Sequence, residues 1–192
     1  MKELSFRVAA KTARLFGREN VSNAEGAISE LVKNTYDADA TMCLVCFIPR
    51  FKSAPETLKS SEYARLCRMH PDLEMYYTAV SGGYILQRAA YTLNFEAVDR
   101  MVEDLLDLWL IDNGDGMSVE TIEENWMVIG TNNKEQNTIS EAGRARTGAK
   151  GIGRFALDRL GSECQLFSSS ISNGAPNTLE WRVDWDDFDA AD

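Results

Sequence analysis

The stretch ELVKNTYDADAT, residues 30–41, decides how the rest of the chain is interpreted. It continues a predicted helix over residues 24–37, whose apolar positions recur at helical spacing. Within that helix, Glu30, Asn34 and Asp37 fall at i, i+4 and i+7, which places them on one face. A polar stripe that stands alone is usually a solvated helix face. Its meaning therefore depends on the sequence that surrounds it.

The same helix has a start signal and an apolar face. Either Ser22 or Asn23 can cap it, because a short polar side chain accepts a hydrogen bond from a first-turn amide. Three side chains are expected to point toward a core, namely Ile28, Leu31 and Val32.

A second polar segment follows a short apolar run. The run LLDLWLI, residues 105–111, predicts a buried strand that ends in the turn-forming sequence DNGDG. Asp112 can accept a hydrogen bond from an adenine amino group, while Gly114 and Gly116 have no side chain to keep a base away from the backbone. An ordinary turn at the end of a strand has the same pattern.

A third segment, GAKGIGRFALDRLG, is rich in glycine. Gly148, Gly151 and Gly153 precede a predicted helix, whose exposed first amides can receive phosphate oxygens. The spacing differs from the dinucleotide fingerprint, and no lysine-serine or lysine-threonine pair follows as a Walker loop requires. The plain alternative is a glycine hinge. Residues 130–148, which are polar and glycine-punctuated, predict a mobile loop before it.

The order of these three segments resembles that of the GHKL ATPases, which include gyrase, the ninety-kilodalton heat-shock chaperones, histidine kinases and mismatch-repair MutL. The likeness of residues 30–41 is nearest to the MutL and MORC branches. The resemblance implies an α/β fold, a two-layer sandwich in which helices cover one face of a mixed β-sheet. It also implies that ATP lies between the helices and the loop at 130–148, which resembles the family's ATP lid.

The resemblance assigns roles to individual residues. Glu30 would polarise the attacking water, and Asn34 would coordinate Mg²⁺ at the triphosphate, with Asp37 supporting the pocket. Asp112 would hold the adenine amino group. The remaining positions that the resemblance places at the nucleotide are Gly114, Gly116, Met117, Thr131, Lys134, Gly148, Lys150, Gly151, Ile152 and Gly153. Arg144 and Arg146 also bring positive charge to the loop, although basic residues in polar loops are usually just solvated.

The predicted organisation is a single domain over residues 1–192 with a helical insertion at 51–103. Helical periodicity in the insertion is broken by prolines and by a glycine pair. Its Tyr76 and Tyr77 are expected to belong to a satellite core, and a partner-docking surface is the alternative. Two further strands are predicted at 163–168 and 178–185. Related folds continue with a strand that carries a pocket threonine, so we expect residues beyond Asp192 to complete the site.

Composition narrows the partners and the location. The formal charge of −10 makes this chain a poor nucleic-acid binder. The charged N-terminus fits neither a signal peptide nor a membrane anchor, so we expect a cytoplasmic protein. Cys43 and Cys46 have the spacing of a zinc half-site, but they lie in a predicted strand and no second pair exists. Reduced, mostly buried thiols are the better interpretation.

The expected function is ATP binding with slow hydrolysis, which drives a conformational or dimeric switch through the lid and the N-terminal segment. One alternative is a phosphotransferase of the histidine-kinase type, but the sole histidine, His70, lies in the insertion. Another alternative is a module that binds a nucleotide, or only a partner, without turnover.

Overall fold

The computed structural model describes residues 23–126, 139–140, 142–146, 157–172 and 174–185. The chain divides into two compact units, one built from residues before 45 and after 109, and the other from 45–109. In the described part of the chain, no helix has the length and apolar character needed to cross a membrane. Helices and paired strands occur together, which confirms the predicted α/β class.

The first unit contains the helix that the sequence predicts. Helix α1 spans Ala24–Asp37, and the Oδ1 atom of Asn23 caps it by accepting a hydrogen bond from the Gly26 amide at 2.8 Å. Ala27 is fully buried and packs against Leu160. Val32 is 38% exposed, so its predicted core position is wrong. It lies about 140° around the helix from Ala27 at 100° per residue, which turns it off the packed face.

Two strands each contain a point where the chain passes from one unit to the other. Strand β1 spans Cys43–Pro49 and pairs with β5, which spans Leu106–Asp112. At one end of the pair the Arg50 amide donates to the Leu105 carbonyl, and at the other the Asn113 side chain accepts from the Met42 amide. The two strands therefore run antiparallel.

The prediction that these strands are buried is wrong. Phe47 in β1 is 57% exposed and Trp109 in β5 is 45% exposed. Within the described residues the two strands pair only with each other, and each strand has exposed residues on both faces of the sheet. Cys43 and Cys46 are accordingly free thiols that are half-buried rather than buried.

The C-terminal part of the first unit is a long β-hairpin. Strand β6 spans Glu163–Ser172 and pairs antiparallel with β7, which spans Ala175–Asp184. Ser172 pairs with Ala175, and Gly174, which precedes Ala175, has a φ of 76° that suits glycine. The strand predicted at 163–168 lies within β6, and the one predicted at 178–185 overlaps β7, which begins three residues earlier and ends one residue earlier.

The second unit is less helical than the sequence predicts. Its first half contains strand β2 (Thr57–Leu58), helix α2 (Ser60–Met69) and a 3-10 helix (Pro71–Met75). Strands β3 (Tyr77–Val80) and β4 (Gly83–Leu86) and helix α3 (Arg88–Glu103) follow. The strands form an antiparallel sheet in the order β2-β4-β3. Strands of two to four residues are too short for alternation to reveal them, so the helical interpretation missed the sheet.

Helices and sheet of the second unit enclose an apolar core. Its largest fully buried side chains are Leu58, Leu66, Leu73, Val98 and Val102. Tyr76 and Tyr77 belong to the same core, as predicted. The Tyr77 hydroxyl keeps a partner by donating to the Pro55 carbonyl at 2.9 Å.

Candidate functional site

The polar stripe on α1 is not a solvated helix face. Glu30 and Asn34 are half-buried, and Asp37, at the end of the helix, is only 7% exposed. The Lys33 ammonium forms an ion pair with the Glu30 carboxylate, with 2.6 Å between Nζ and Oε1. That pair occupies one carboxylate oxygen and leaves Oε2 for another partner.

Asn34 offers an oxygen donor one helical turn from Glu30. Within the described residues its side-chain amide has no hydrogen-bond partner, while its backbone carbonyl accepts from the Ala38 amide at 3.1 Å. Carboxylate and amide oxygens are ligands that Mg²⁺ prefers. The donor chemistry of this face therefore fits the metal that the resemblance implies.

The loop after β5 is shaped by its own aspartate. Asp112 Oδ1 accepts a hydrogen bond from the Gly114 amide at 2.8 Å, which closes an Asx turn. Its second oxygen, Oδ2, has no partner among the described residues, and the residue is exposed. One carboxylate oxygen thus shapes the loop, and the other is available to a ligand.

The two glycines of this loop are required by close backbone contacts. A Cβ on Gly114 would lie 2.5 Å from the Ala38 carbonyl oxygen, and one on Gly116 would lie 2.0 Å from the Ser169 carbonyl oxygen. Gly116 also has a φ of 70°, a backbone conformation that residues with a side chain rarely adopt. In the structure these two glycines allow the loop to pack on the end of α1 and on β6, and their role beside a base stays a prediction.

Hydrogen bonds tie the same loop to its neighbours. The Asp115 amide donates to the Ala38 carbonyl at 2.9 Å, and the Met117 amide donates to Ser168 Oγ at 2.7 Å. Asn113 Oδ1 accepts from the amides of Thr41 and Met42 at 2.9 and 2.8 Å. Sequence reasoning missed Asn113 and Ser168, and the only local signal was the turn-forming Asn-Gly pair.

Asp39, which lies within residues 30–41 but was not among the predicted site residues, binds Ser140 and Ala142 in the segment before the glycines. Its Oδ1 accepts from Ser140 Oγ at 2.6 Å, and its Oδ2 accepts from the Ala142 amide at 3.0 Å. These two hydrogen bonds, with the nearby positive charge of Arg144, hold the pKa of the Asp39 carboxyl below its ordinary value. The φ of Asp39 is 57°, a left-handed conformation that aspartate tolerates better than most residues.

Arg144 also contacts residues at the end of α1 and just after it. Its Nη1 donates to the Ala40 carbonyl at 2.7 Å, and its guanidinium lies 5.1 Å from the ring centre of Tyr36. The side chain is half-buried and engaged, so the interpretation of Arg144 as a merely solvated lid residue is wrong.

The structure places one group of the predicted site residues in a single unit. Another group lies outside the described part of the chain. The former are Glu30, Asn34, Asp37, Asp112, Gly114, Gly116 and Met117. Outside the described residues lie Thr131, Lys134, Gly148, Lys150, Gly151, Ile152 and Gly153. His70 belongs to the other unit, where its Nε2 pairs with Asp104 Oδ2 at 2.7 Å.

Comparison with known proteins gives a family match over the second half of the chain. A family model described as histidine kinase-, DNA gyrase B-, and HSP90-like ATPase matches residues 89–190, just over half of the chain. The match contains the Asp112 loop and the glycines from 148 to 153, but not α1. No curated protein and no solved structure is detectably similar to the chain. Because this match covers more than half of the chain, the chain belongs to the histidine kinase-, DNA gyrase B- and HSP90-like ATPases, a family of ATP-binding domains.

Proposed function

We propose that this chain binds ATP between α1 and the Asp112 loop and hydrolyses it slowly. The observation that supports this most is the direct contact between those two regions. The Asp115 amide bonds the Ala38 carbonyl, and Gly114 lies against the same carbonyl. The loop proposed for adenine is therefore fixed to the end of the helix proposed for the phosphates.

Adenine recognition falls to the free oxygen of Asp112. Because Oδ1 is used by the Gly114 amide, Oδ2 accepts the hydrogen bond from the adenine amino group. Gly116 and Met117 lie beside the base, and Ser168 keeps the Met117 amide in place.

Hydrolysis is assigned to Glu30. Its carboxylate takes a proton from a water molecule, the water oxygen bonds the γ-phosphorus, and the bond from that phosphorus to the β–γ bridging oxygen breaks to release ADP. Lys33 holds Oε1, which leaves Oε2 to orient the water. Asn34 would hold Mg²⁺, which when bound offsets the charge of the triphosphate.

We also assign nucleotide contacts to predicted residues that lie outside the described part of the chain. Gly148, Gly151 and Gly153, with Lys150 and Ile152, are assigned to the phosphates. Thr131 and Lys134 are assigned to the leading edge of the lid, and Asp37 to support of the pocket. The reaction is proposed to drive a conformational or dimeric switch through the N-terminal segment, as in the MutL and MORC branches that residues 30–41 resemble.

Two substitutions on α1 test the assignment. Glu30→Ala should lower phosphate release about 10²- to 10⁴-fold while ATP stays bound, because a positioned general base contributes rate rather than affinity. Asn34→Ala should weaken magnesium-dependent ATP binding as well as turnover. The measurements are phosphate release and calorimetric titration with MgATP.

Glu25→Ala is the matched control, since Glu25 is an exposed acidic residue in the first turn of the same helix. Normal phosphate release from Glu30→Ala would remove its catalytic role. Radiolabel transferred from γ-labelled ATP to protein, instead of free phosphate, would favour a phosphotransferase.

A further inference from the structure

Helix α1 carries a short ion pair beside the proposed metal ligand. The Lys33 ammonium donates to Glu30 Oε1 at 2.6 Å, across three positions of the helix. Charge-assisted hydrogen bonds of this kind are among the stronger polar contacts in proteins. Lys33 was not among the predicted site residues, yet it binds the carboxylate to which hydrolysis is assigned.

Lys33 and Asn34 lie on opposite sides of Glu30 on the helix surface. At about 100° per residue, Lys33 lies about 60° to one side of Glu30, and Asn34 lies about 40° to the other. The pair with Lys33 draws the carboxylate toward the side away from Asn34. Within the described part of the chain, the Glu30 carboxylate makes no other hydrogen bond.

The exposure of the pair limits what it contributes to folding. The Lys33 side chain is 54% exposed and the Glu30 side chain is 36% exposed. Ion pairs at such positions contribute little to the free energy of unfolding, because water screens them. Their effect on position is larger, since a glutamate side chain has several rotatable bonds and an ion pair restricts them. The pair therefore fixes where the carboxylate lies more than it stabilises the helix.

We propose that Lys33 is a positioning residue that holds the Glu30 carboxylate away from Asn34, so that Oε2 meets the attacking water. The inference rests on the proposed function, in which Asn34 holds Mg²⁺ and Glu30 takes the proton. Carboxylate oxygens are preferred ligands of Mg²⁺. Without Lys33, the Glu30 carboxylate would turn toward the metal that Asn34 holds and would no longer take a proton from water.

Lys33→Met tests the proposal by separating turnover from affinity. Methionine keeps a long, flexible side chain that suits a helix, and it removes the ammonium. The kcat for phosphate release should fall roughly 10- to 100-fold, because a displaced base costs rate. The calorimetric affinity for MgATP should not fall, since Lys33 acts on Glu30 and not on the nucleotide. Lys33→Arg should recover part of the rate, because a guanidinium also pairs with a carboxylate.

The double variant Glu30→Ala/Lys33→Met shows whether Lys33 acts through Glu30. If it does, the double variant should release phosphate as slowly as Glu30→Ala and no more slowly, because the two effects share one group. A further loss of rate in the double variant would overturn the inference. A weaker affinity of Lys33→Met for MgATP would also overturn it, since a lysine that contacts the phosphates directly has that signature.

Lys52→Met is the control, because Lys52 is an exposed lysine in residues 45–109 and should leave kcat and MgATP affinity unchanged. The melting temperature of Lys33→Met should match that of the unmodified chain, since the pair is exposed. Normal kcat in Lys33→Met, together with slow release from Glu30→Ala, would overturn this inference alone. Normal release from Glu30→Ala would instead overturn the proposed function.

Discussion

Residues 45–109 pack around leucines, valines and tyrosines, whereas the described residues of the other unit are joined mainly by polar contacts to backbone. In the former, Leu66 and Val98 have no exposed surface. In the latter, the side chains of Asp39, Asn113 and Ser168 each bond backbone amides from a distant part of the chain. Asp37 and Ser140 are buried there as well.

Because of this difference, we expect the free energy of unfolding and the affinity for ATP to respond to different substitutions. An apolar core contributes to the free energy of unfolding in proportion to the apolar surface that it buries. It offers no polar group that could bind a charged ligand. Side-chain to backbone hydrogen bonds contribute less energy but fix the positions of particular atoms. Substitutions in residues 45–109 should therefore lower stability alone, and substitutions around the Asp112 loop should alter ATP binding.

The largest effect on stability is expected from Leu66→Ala. It removes a fully buried side chain from the centre of the core in residues 45–109 and leaves a cavity. The expected loss is about 2 to 5 kcal/mol in the free energy of unfolding of that unit, measured by urea denaturation. MgATP affinity should stay unchanged in conditions where the variant is folded. A parallel loss of affinity would show that the two kinds of contact are not separable.

Gly116→Ala should differ from Leu66→Ala by weakening nucleotide binding as well as stability. The added Cβ would lie 2.0 Å from the Ser169 carbonyl oxygen, at a backbone φ of 70°. Relieving that clash costs about 1 to 3 kcal/mol and moves the adenine loop away from β6. We expect weaker binding of both ATP and adenosine by calorimetry. Gly174→Ala is the matched control, since its φ is also positive but no atom lies within 4 Å of the added Cβ. Normal adenosine binding by Gly116→Ala would contradict the placement of the base.

A smaller, pH-dependent effect is expected at Asp39, which faces Ser140 and the cations Arg144 and Arg146. Its pKa is lower in the folded chain than the ordinary 3.8, so its stabilising contribution is complete above that value and is lost as the pH falls through the folded pKa. Asp39→Asn, which tolerates the same backbone conformation, should melt at a lower temperature than the unmodified chain at pH 7. That gap should narrow below about pH 4. A constant gap would show that the charge contributes nothing.

Local signals account for what the sequence predicted well. The bounds of α1 follow from a 14-residue helical period and a capping asparagine, and the β6–β7 pair follows from two neighbouring strand-like stretches, although both strands are longer than predicted. The Asp112 loop was recognisable because an aspartate-glycine turn after a strand is a compact pattern.

The remaining contacts depend on distances that no local pattern contains. Asp39 meets Ser140 across 101 positions, and Asn113 meets Thr41 across 72. Any of several carboxylates and amides could have made such contacts. The burial of β1 was predicted wrongly for a related reason, since an apolar strand does not show by its composition whether anything covers it. The glycine-rich segment from 148 to 153 stays a prediction.

The central claim, that ATP is bound at the Asp112 loop, is tested most directly by the MgATP affinity of Asp112→Asn. Asparagine keeps the Oδ1 atom that accepts from the Gly114 amide, so the turn should survive, while an amide nitrogen replaces the oxygen proposed to face adenine. Calorimetry should show a loss of about 1 to 3 kcal/mol in binding free energy with a melting temperature close to that of the unmodified chain. Unchanged MgATP affinity would contradict the claim and leave Asp112 as a turn residue only.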